Sequence, residues 1–164
     1  MRQHSLLSSL ALAAALMAGS ATASAQDATA DLRIEAFVEN SCIILPTDMT
    51  GASFSGTASG QASSTNINVL CNAGTAYSVA PGDGLNFGAG SDPSRRHLAD
   101  GQGNFIPYGL FHADGSTTWG ESSPIYGVGT GQYEQHGIFV EFFQVNRAPG
   151  GNYSDTVVQT VTYN

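Results

Sequence analysis

Hydrophobic and polar residues alternate with a period of two along several short segments of the chain. No stretch of about 11 residues or more keeps a 3.6-residue apolar period, and Gly or Pro interrupts most windows. The pattern therefore predicts β-strands and no substantial helix. The alternating segments are Leu32–Val38, Ile67–Cys71, Tyr77–Val79 and Val157–Tyr163.

Two further apolar segments break the simple alternation. Phe105–Phe111 is rich in aromatic residues but contains Pro107, which cannot donate to a strand ladder, so we expect an edge or bulged strand. Ile138–Val145 is apolar at nearly every position, which indicates burial on both sides or a strand that changes sheets. Turn-forming residues fill the intervals Gly51–Ser64, Pro81–Pro93, Asp114–Gly120 and Gly127–Gln132. Short strands joined by such loops predict an all-β, antiparallel sandwich of one domain.

The N-terminal residues have the three-part pattern of a secretory signal peptide. Arg2 precedes the apolar run Leu6–Met17, and small residues follow up to Ala23-Ser24-Ala25. The pattern predicts cleavage after Ala25, so that residues 1–25 are an export signal. The run is too short to span a bilayer, and no later segment reaches the roughly 20 apolar residues that a span needs.

Export changes the interpretation of the two cysteines, Cys42 and Cys71. An even number of cysteines in an oxidising compartment favours one disulfide bond. The alternative is a pair of free, buried thiols. Two cysteines with no neighbouring histidine cannot form a structural zinc site.

The charge balance restricts the possible partners. The chain has 13 acidic and 5 basic residues and a net charge of −8, and every basic residue is Arg. An acidic surface argues against binding to nucleic acid and to anionic membranes. The absence of Lys excludes Schiff-base and P-loop lysine chemistry.

No catalytic constellation stands out in the sequence. His97, His112 and His136 have no metal-ligand spacing and lie in or beside polar turns, so we expect them on the surface. No G-x-S-x-G motif occurs. Gly127–Gly131 lacks the helix and partner residues of a phosphate loop, and Asp114–Thr118 is typical of a plain turn. We therefore predict no catalytic residue, cofactor or metal, and no enzymatic activity.

The C-terminal residues carry a family resemblance. Gly151, Tyr153 and the penultimate Tyr163 bracket an alternating strand, as in chaperone–usher pilins. The sequence Gly-x-Tyr-x-Asp-Thr-Val before Thr-Val-Thr-Tyr specifically resembles the spore coat protein U family, which contains the archaic chaperone–usher pilins. Other family motifs follow in order, namely Ser41-Cys42, Gly74–Tyr77, Arg96–Leu98, Ile106–Phe111 and Trp119-Gly120. Ile138–Arg147 and Gln159 depart from the family pattern.

This resemblance implies an incomplete immunoglobulin-like sandwich that is completed by donor-strand exchange. The donor would be Ala30–Glu39 within an N-terminal segment, residues 26–40, and the sandwich domain would be residues 41–164. Apolar side chains of the donor would enter a neighbouring subunit's groove, and these are Leu32, Ile34, Ala36 and Val38. Alternatively, Leu32–Val38 is the first strand of its own domain.

The same resemblance implies the partners and the route of export. A periplasmic chaperone would bind the last strand through residues that include Gly151, Tyr153, Val157, Val161 and Tyr163. An outer-membrane usher and neighbouring subunits would follow, and the chain would pass through the periplasm to an extracellular fimbria or the cell surface, where it would support adhesion or biofilm formation.

Other functions stay open from the sequence alone. A free-standing sandwich could bind carbohydrate by stacking sugars on Tyr108, Trp119 and Tyr126. A surface or spore coat protein could assemble by the same strand exchange as a pilus. A secreted hydrolase is the remaining class, for which the sequence offers no site.

Overall fold

The computed structural model describes residues 26–50, 52–54, 59–92 and 94–164, so the predicted signal peptide lies outside the described residues. The chain divides into two units, Met1–Ala36 and Phe37–Asn164. The described part of the first unit, residues 26–36, is exposed and has no regular secondary structure. The second unit contains the sandwich.

Within the described residues, eight antiparallel strands form the sandwich. They are β1 (Cys42–Pro46), β2 (Gly60–Cys71), β3 (Ala76–Pro81), β4 (Arg96–Ala99), β5 (Phe105–His112), β6 (Ile125–Val128), β7 (Tyr133–Phe143) and β8 (Gln159–Tyr163). A five-stranded sheet has the order β1-β2-β7-β5-β4, and a three-stranded sheet has the order β6-β3-β8. One short 3₁₀ turn, Val145–Arg147, follows β7. The predicted all-β sandwich is thus confirmed.

The core lies between the two sheets, where alternate residues of the long strands meet. Val69 on β2, Val79 on β3 and Val140 on β7 are almost completely buried. Trp119 is also buried, and its indole Nε1 donates a hydrogen bond of 3.0 Å to the Val79 carbonyl of the opposite sheet. This bond satisfies the indole N–H while the ring fills the core.

Pro107 does not lie on an edge strand, because β5 is paired with β4 on one side and β7 on the other. The expectation of an edge strand was wrong. The missing N–H of Pro107 nevertheless limits which strand can pair with this residue. Pairing with β7 begins only at Tyr108, so Pro107 faces β4 alone and its missing N–H interrupts no bond to β7.

β7 stays in one sheet rather than changing sheets. Its core-facing residues Ile138, Val140 and Phe142 are buried, whereas Phe139 and Phe143 on the opposite face are half-buried. The loop expected at residues 51–64 is shorter, because β2 begins at Gly60 and pairs with Phe143. Pairing with a long neighbour makes this polar stretch a strand, although its sequence has no apolar alternation.

His97 is the clearest departure from the expectation of surface histidines. It is completely buried on β4, packs edge-on to Phe105 with ring centroids 6.0 Å apart, and lies below Gly90. His112 and His136 are half-buried. The sequence could not indicate this burial, because the cover over His97 comes from a loop rather than from its own strand.

Candidate functional site

The segment that leads into β8, together with Gln159 at the start of β8, forms one wall of an open groove. Side chains alternate along this segment between exposed and half-buried, and those facing inward are Tyr153, Asp155, Val157, Gln159 and Val161. None of the five is fully buried, in contrast to the inward residues of β2, β3 and β7. β8 is an edge strand, so one side of its backbone has no strand partner within the described chain.

The groove encloses about 1050 Å³ and reaches the core. Its floor is the inner face of the five-stranded sheet together with Trp119. One wall is formed by residues 47–50 and 52–54, which follow β1, and the other by residues 145–146, 148–157 and 159. The floor residues are Leu98, Ile106, Tyr108, Leu110, Ile138, Val140 and Phe142.

Asp155 holds the second wall in place. Its Oδ1 accepts hydrogen bonds from the backbone N–H groups of Leu85 (3.0 Å) and Asn86 (3.2 Å), and from the Asn86 side-chain amide (3.1 Å). Its Oδ2 accepts a 2.6 Å bond from the Tyr108 hydroxyl on the groove floor. Burial and the Asp155 carboxylate both raise the pKa of Tyr108, so the phenol stays a donor. One carboxylate therefore ties together a loop, the wall and the floor.

Gln159 places a polar group at the inward face of β8. Its Oε1 is buried and has no hydrogen-bond partner among the described residues. The side chain is the last of this wall to line the groove; Val157 before it also lines the groove, and Val161 after it packs against the core. Gln159 therefore differs from the neighbouring valines, because it places a buried amide oxygen without a hydrogen-bond partner on this face.

The far end of β8 is held by polar contacts. The Asn40 side-chain amide donates a 2.5 Å bond to the Asn164 carbonyl, and the Thr75 hydroxyl donates to Asn40 Oδ1 at 3.1 Å. Tyr163 pairs with Tyr77 of β3 but remains about two-fifths exposed. Gly151, the first residue of the resemblance motif, is exposed.

Tyr77 links the two sheets near this end. Its hydroxyl lies 2.9 Å from Glu134 Oε2 and 2.7 Å from His136 Nε2, both on β7. Burial, followed by the bond to Glu134, raises the pKa of Tyr77. Desolvation lowers the pKa of His136, although the Glu134 charge opposes this shift.

The proposed donor side chains are exposed in the single chain. Leu32 is 84% exposed, Ile34 81% and Val38 73%, and Ala36 is exposed as well. Residues 26–41 form no strand, so the alternative that Leu32–Val38 is the first strand of its own domain is not found. The first strand of the sandwich begins instead at Cys42, a strand that the sequence analysis did not delimit.

Cys42 and Cys71 are joined by a disulfide bond, as expected. They are direct partners at the first residue of β1 and the last residue of β2, and both are buried. The bond links the start of β1 to the end of β2. The first wall of the groove follows the other end of β1.

The residues considered for sugar binding do not form a platform. Tyr108 and Trp119 are buried in the core, and only Tyr126 is exposed, at 75%. The described residues contain no group of three side chains able to hold a metal ion. Within the same part of the chain, no helix is long and apolar enough to cross a bilayer.

Comparisons with known proteins agree with this architecture. The family model of the Spore Coat Protein U domain matches residues 28–160. A search of curated protein sequences gives no significant match. A similar solved structure is the CsuC–CsuE chaperone-tip adhesion subunit pre-assembly complex from archaic chaperone-usher Csu pili of Acinetobacter baumannii, with a TM-score of 0.53 and 22% identity. The match covers 76% of this chain and 40% of that chain, and it shows a shared fold.

Proposed function

Since the chain belongs to the Spore Coat Protein U domain family, we propose that it is a structural subunit of a chaperone–usher pilus. Each subunit donates its N-terminal strand to the groove of the next one. The groove beside the segment that leads into β8 is the observation that carries this proposal, because it has an apolar floor and continues into the unpaired edge of β8 at Gln159. Such an edge accepts an extended segment through backbone hydrogen bonds and side-chain pockets.

A second copy of the same chain offers a suitable occupant. Its segment Ala30–Glu39 has large apolar side chains at alternate positions, and all of them are exposed in the single chain. Burying a side chain such as Leu32, Ile34 or Val38 contributes about 1.5–3 kcal/mol. Ladder hydrogen bonds add about 0.5–1.5 kcal/mol each, and ordering the strand costs about 1–2 kcal/mol per residue. Side-chain burial therefore decides whether the segment binds.

The geometry of such a contact leads to a fibre. The donor segment and the groove are different surfaces of one subunit, so each subunit can give and receive once. A head-to-tail contact of this kind does not close on itself unless its rotation forms a ring, and it otherwise propagates. This is the assembly that a pilus requires.

The pathway to the cell surface follows from the same proposal. Residues 1–25 direct export, residues 26–40 serve as donor, and residues 41–164 form the acceptor domain. A periplasmic chaperone covers the groove before assembly, since an open apolar groove promotes aggregation. An outer-membrane usher then passes the subunit to the growing fibre, which supports adhesion or biofilm formation.

The test compares two variants of the full chain that carry the same new residue. Ile34→Asp places a charge on the side of the donor that enters the groove, and we expect it to prevent polymerisation. Arg33→Asp places the same carboxylate on the opposite side of the segment, with a larger change in net charge (−2 instead of −1), and should leave polymerisation intact. Fibres are counted by electron microscopy, and export is checked by immunoblotting.

A synthetic peptide of residues 26–40 provides the second measurement. Added to the purified Ile34→Asp chain, it should occupy the groove and raise the thermal unfolding temperature, because a ligand that binds only the folded state stabilises it. Normal fibres from Ile34→Asp would refute the donor assignment. A peptide without effect on unfolding would refute the groove as its receptor.

A further inference from the structure

The wall of the groove has a distinct pattern on each of its faces. The inward positions from residue 153 to residue 161 include two polar residues, Asp155 and Gln159. The Asp155 carboxylate is bonded to Leu85, Asn86 and Tyr108, whereas Gln159 Oε1 has no partner among the described residues. Outward positions from residue 154 to residue 162 are Ser or Thr except at Val158, which is 69% exposed. Since the fold itself provides the partners of Asp155, each face has one unmatched position, Gln159 inward and Val158 outward, and the two are neighbours in the sequence.

The donor segment has the complementary pattern. Its groove-facing side chains are large except at Ala36, and its opposite face is charged except at Phe37, which is 87% exposed. The exceptions are again neighbours in the sequence. An antiparallel pair of strands can therefore match both of them at once.

We propose that the donor binds antiparallel to β8 and the residues before it, in the register that places Ala36 opposite Gln159 and Phe37 opposite Val158. The inference rests on the function proposed above and assigns the residues that specify the register. The same register sets Ile34 against Val161 and Val38 against Val157. Residues directly opposite on one face have Cβ atoms about 4.5–5.5 Å apart, so these pairs are in contact.

Ala36 fits this position because of its size. A methyl group leaves room for the Gln159 side chain beside it, whereas a larger, branched side chain would overpack the position and displace the amide. On the other face, Phe37 covers the exposed methyl groups of Val158. An aromatic residue opposite a β-branched one is a favourable cross-strand pair.

Other registers lose the pairing of Ala36 with Gln159, the pairing of Phe37 with Val158, or both. Shifting the antiparallel donor by two residues puts Ile34 or Val38 against Gln159. A shift by one residue turns the whole apolar face away from the groove. A parallel donor with Ala36 opposite Gln159 sets Leu32 against Asp155.

A second parallel arrangement is acceptable on the inward face alone. It places Ala36 against Asp155 and Val38 against Val157. On the outward face, however, it sets Phe37 against Thr156 and Glu39 against Val158. The outward face therefore favours the antiparallel register.

Disulfide trapping between full-length chains tests the register. One chain carries Glu35→Cys and a co-expressed chain carries Thr160→Cys, which are opposite each other on the outward face in the proposed register. A disulfide requires Cα atoms about 4.4–6.8 Å apart, and a shift of two residues adds about 6.8 Å along the strand. The native Cys42 and Cys71 are already bonded to each other and do not compete.

Three further cysteine variants, each paired with Glu35→Cys, detect the alternative alignments of the donor. Val158→Cys and Thr162→Cys detect antiparallel shifts of two residues, and Ser154→Cys detects the parallel arrangement. A covalent dimer on a non-reducing gel only with Thr160→Cys supports the proposal. A dimer with one of the other three in its place overturns the register while leaving strand exchange intact, whereas assembly without any of the four contradicts strand exchange along this wall as well.

A size exchange tests the specifying pair. Ala36→Leu should reduce fibre yield by about tenfold, since overpacking a fitted position is costly. Gln159→Ala in the same chain should restore the yield by making room, and Val161→Ala should not. Restoration by Val161→Ala instead of Gln159→Ala, or an unchanged yield with Ala36→Leu, would overturn the assignment of these two residues.

Discussion

The hydrogen bond between Tyr108 and Asp155 allows a quantitative test of how the groove is kept open. Tyr108 lies on β5 in the groove floor and is buried, while Asp155 belongs to the wall that precedes β8. The 2.6 Å bond between them joins two segments that are 47 residues apart in the chain. Tyr108→Phe removes this bond and leaves the ring in place.

The expected loss follows from the nature of the acceptor. A hydrogen bond to a charged group contributes about 1.5–3 kcal/mol, and Tyr108→Phe should lower the free energy of unfolding by that amount. Asp155→Ala should cost more, because it also removes the side-chain acceptor of the Asn86 backbone N–H and one of the two acceptors of the Leu85 N–H, the other being the Thr156 carbonyl. Asp155→Asn keeps an acceptor oxygen but loses the charge, so its effect should be smaller than that of Asp155→Ala.

Urea denaturation followed by tryptophan fluorescence measures these differences. The variants are made in the Ile34→Asp chain, which is expected not to polymerise, so that unfolding is not coupled to disassembly. Tyr126→Phe serves as the control, because the Tyr126 side chain is exposed and its loss should change stability by less than about 0.5 kcal/mol. Equal stability of the Tyr108→Phe and Tyr126→Phe chains would refute a structural role for the bond.

Three further predictions concern the rest of the sandwich. Replacing Cys42 and Cys71 by Ser should lower the free energy of unfolding by about 3–4 kcal/mol for a sequence separation of 29, as measured by denaturation against the oxidised chain. Because burial raises the pKa of Tyr77 above its ordinary value of 10.0, only the unfolded state ionises just above that pH, so stability should fall as the pH rises above 10, and less steeply in Tyr77→Phe. Gly127→Ala would bring a Cβ to within 2.3 Å of the Tyr77 ring and should destabilise the fold, whereas Gly120→Ala, with no atom within 4 Å, should have little effect on the thermal unfolding temperature.

The elements that the sequence predicted well are those in which alternation encodes two faces directly. Val69 and Val79 lie on strands with this pattern, and each is buried as its position indicates. Two strands were not predicted in full. The first part of β2 is polar and shows no apolar alternation, and β4 has only four residues, too few for a pattern to be recognised. They are strands because longer neighbours pair with them, which is a property of the folded sheet rather than of the local sequence.

The site was predictable only in part for the same reason. The last strand and its inward residues follow from the local pattern, and the exposed donor segment follows from its own alternation. Asp155 belongs to the family motif, but its partners Leu85 and Asn86 lie 70 and 69 residues away, so its function in the wall could not be derived. His97 is buried by a distant loop, and its polar surroundings in the sequence suggested the opposite.

The distribution of burial is consistent with a domain that folds without the donor strand of the proposed function. The floor residues Val140 and Phe142 are almost fully buried although the groove above them is open, since the segments on both sides pack against the same sheet. Val157 and Val161 on the wall are only half-buried. The edge at β8 is therefore less well buried than the core, and in the proposed assembly an incoming donor would add burial mainly there. A core that is formed in advance gives the groove a fixed shape, and under the register proposed above such a shape would allow single positions such as Gln159 to select one alignment of the donor.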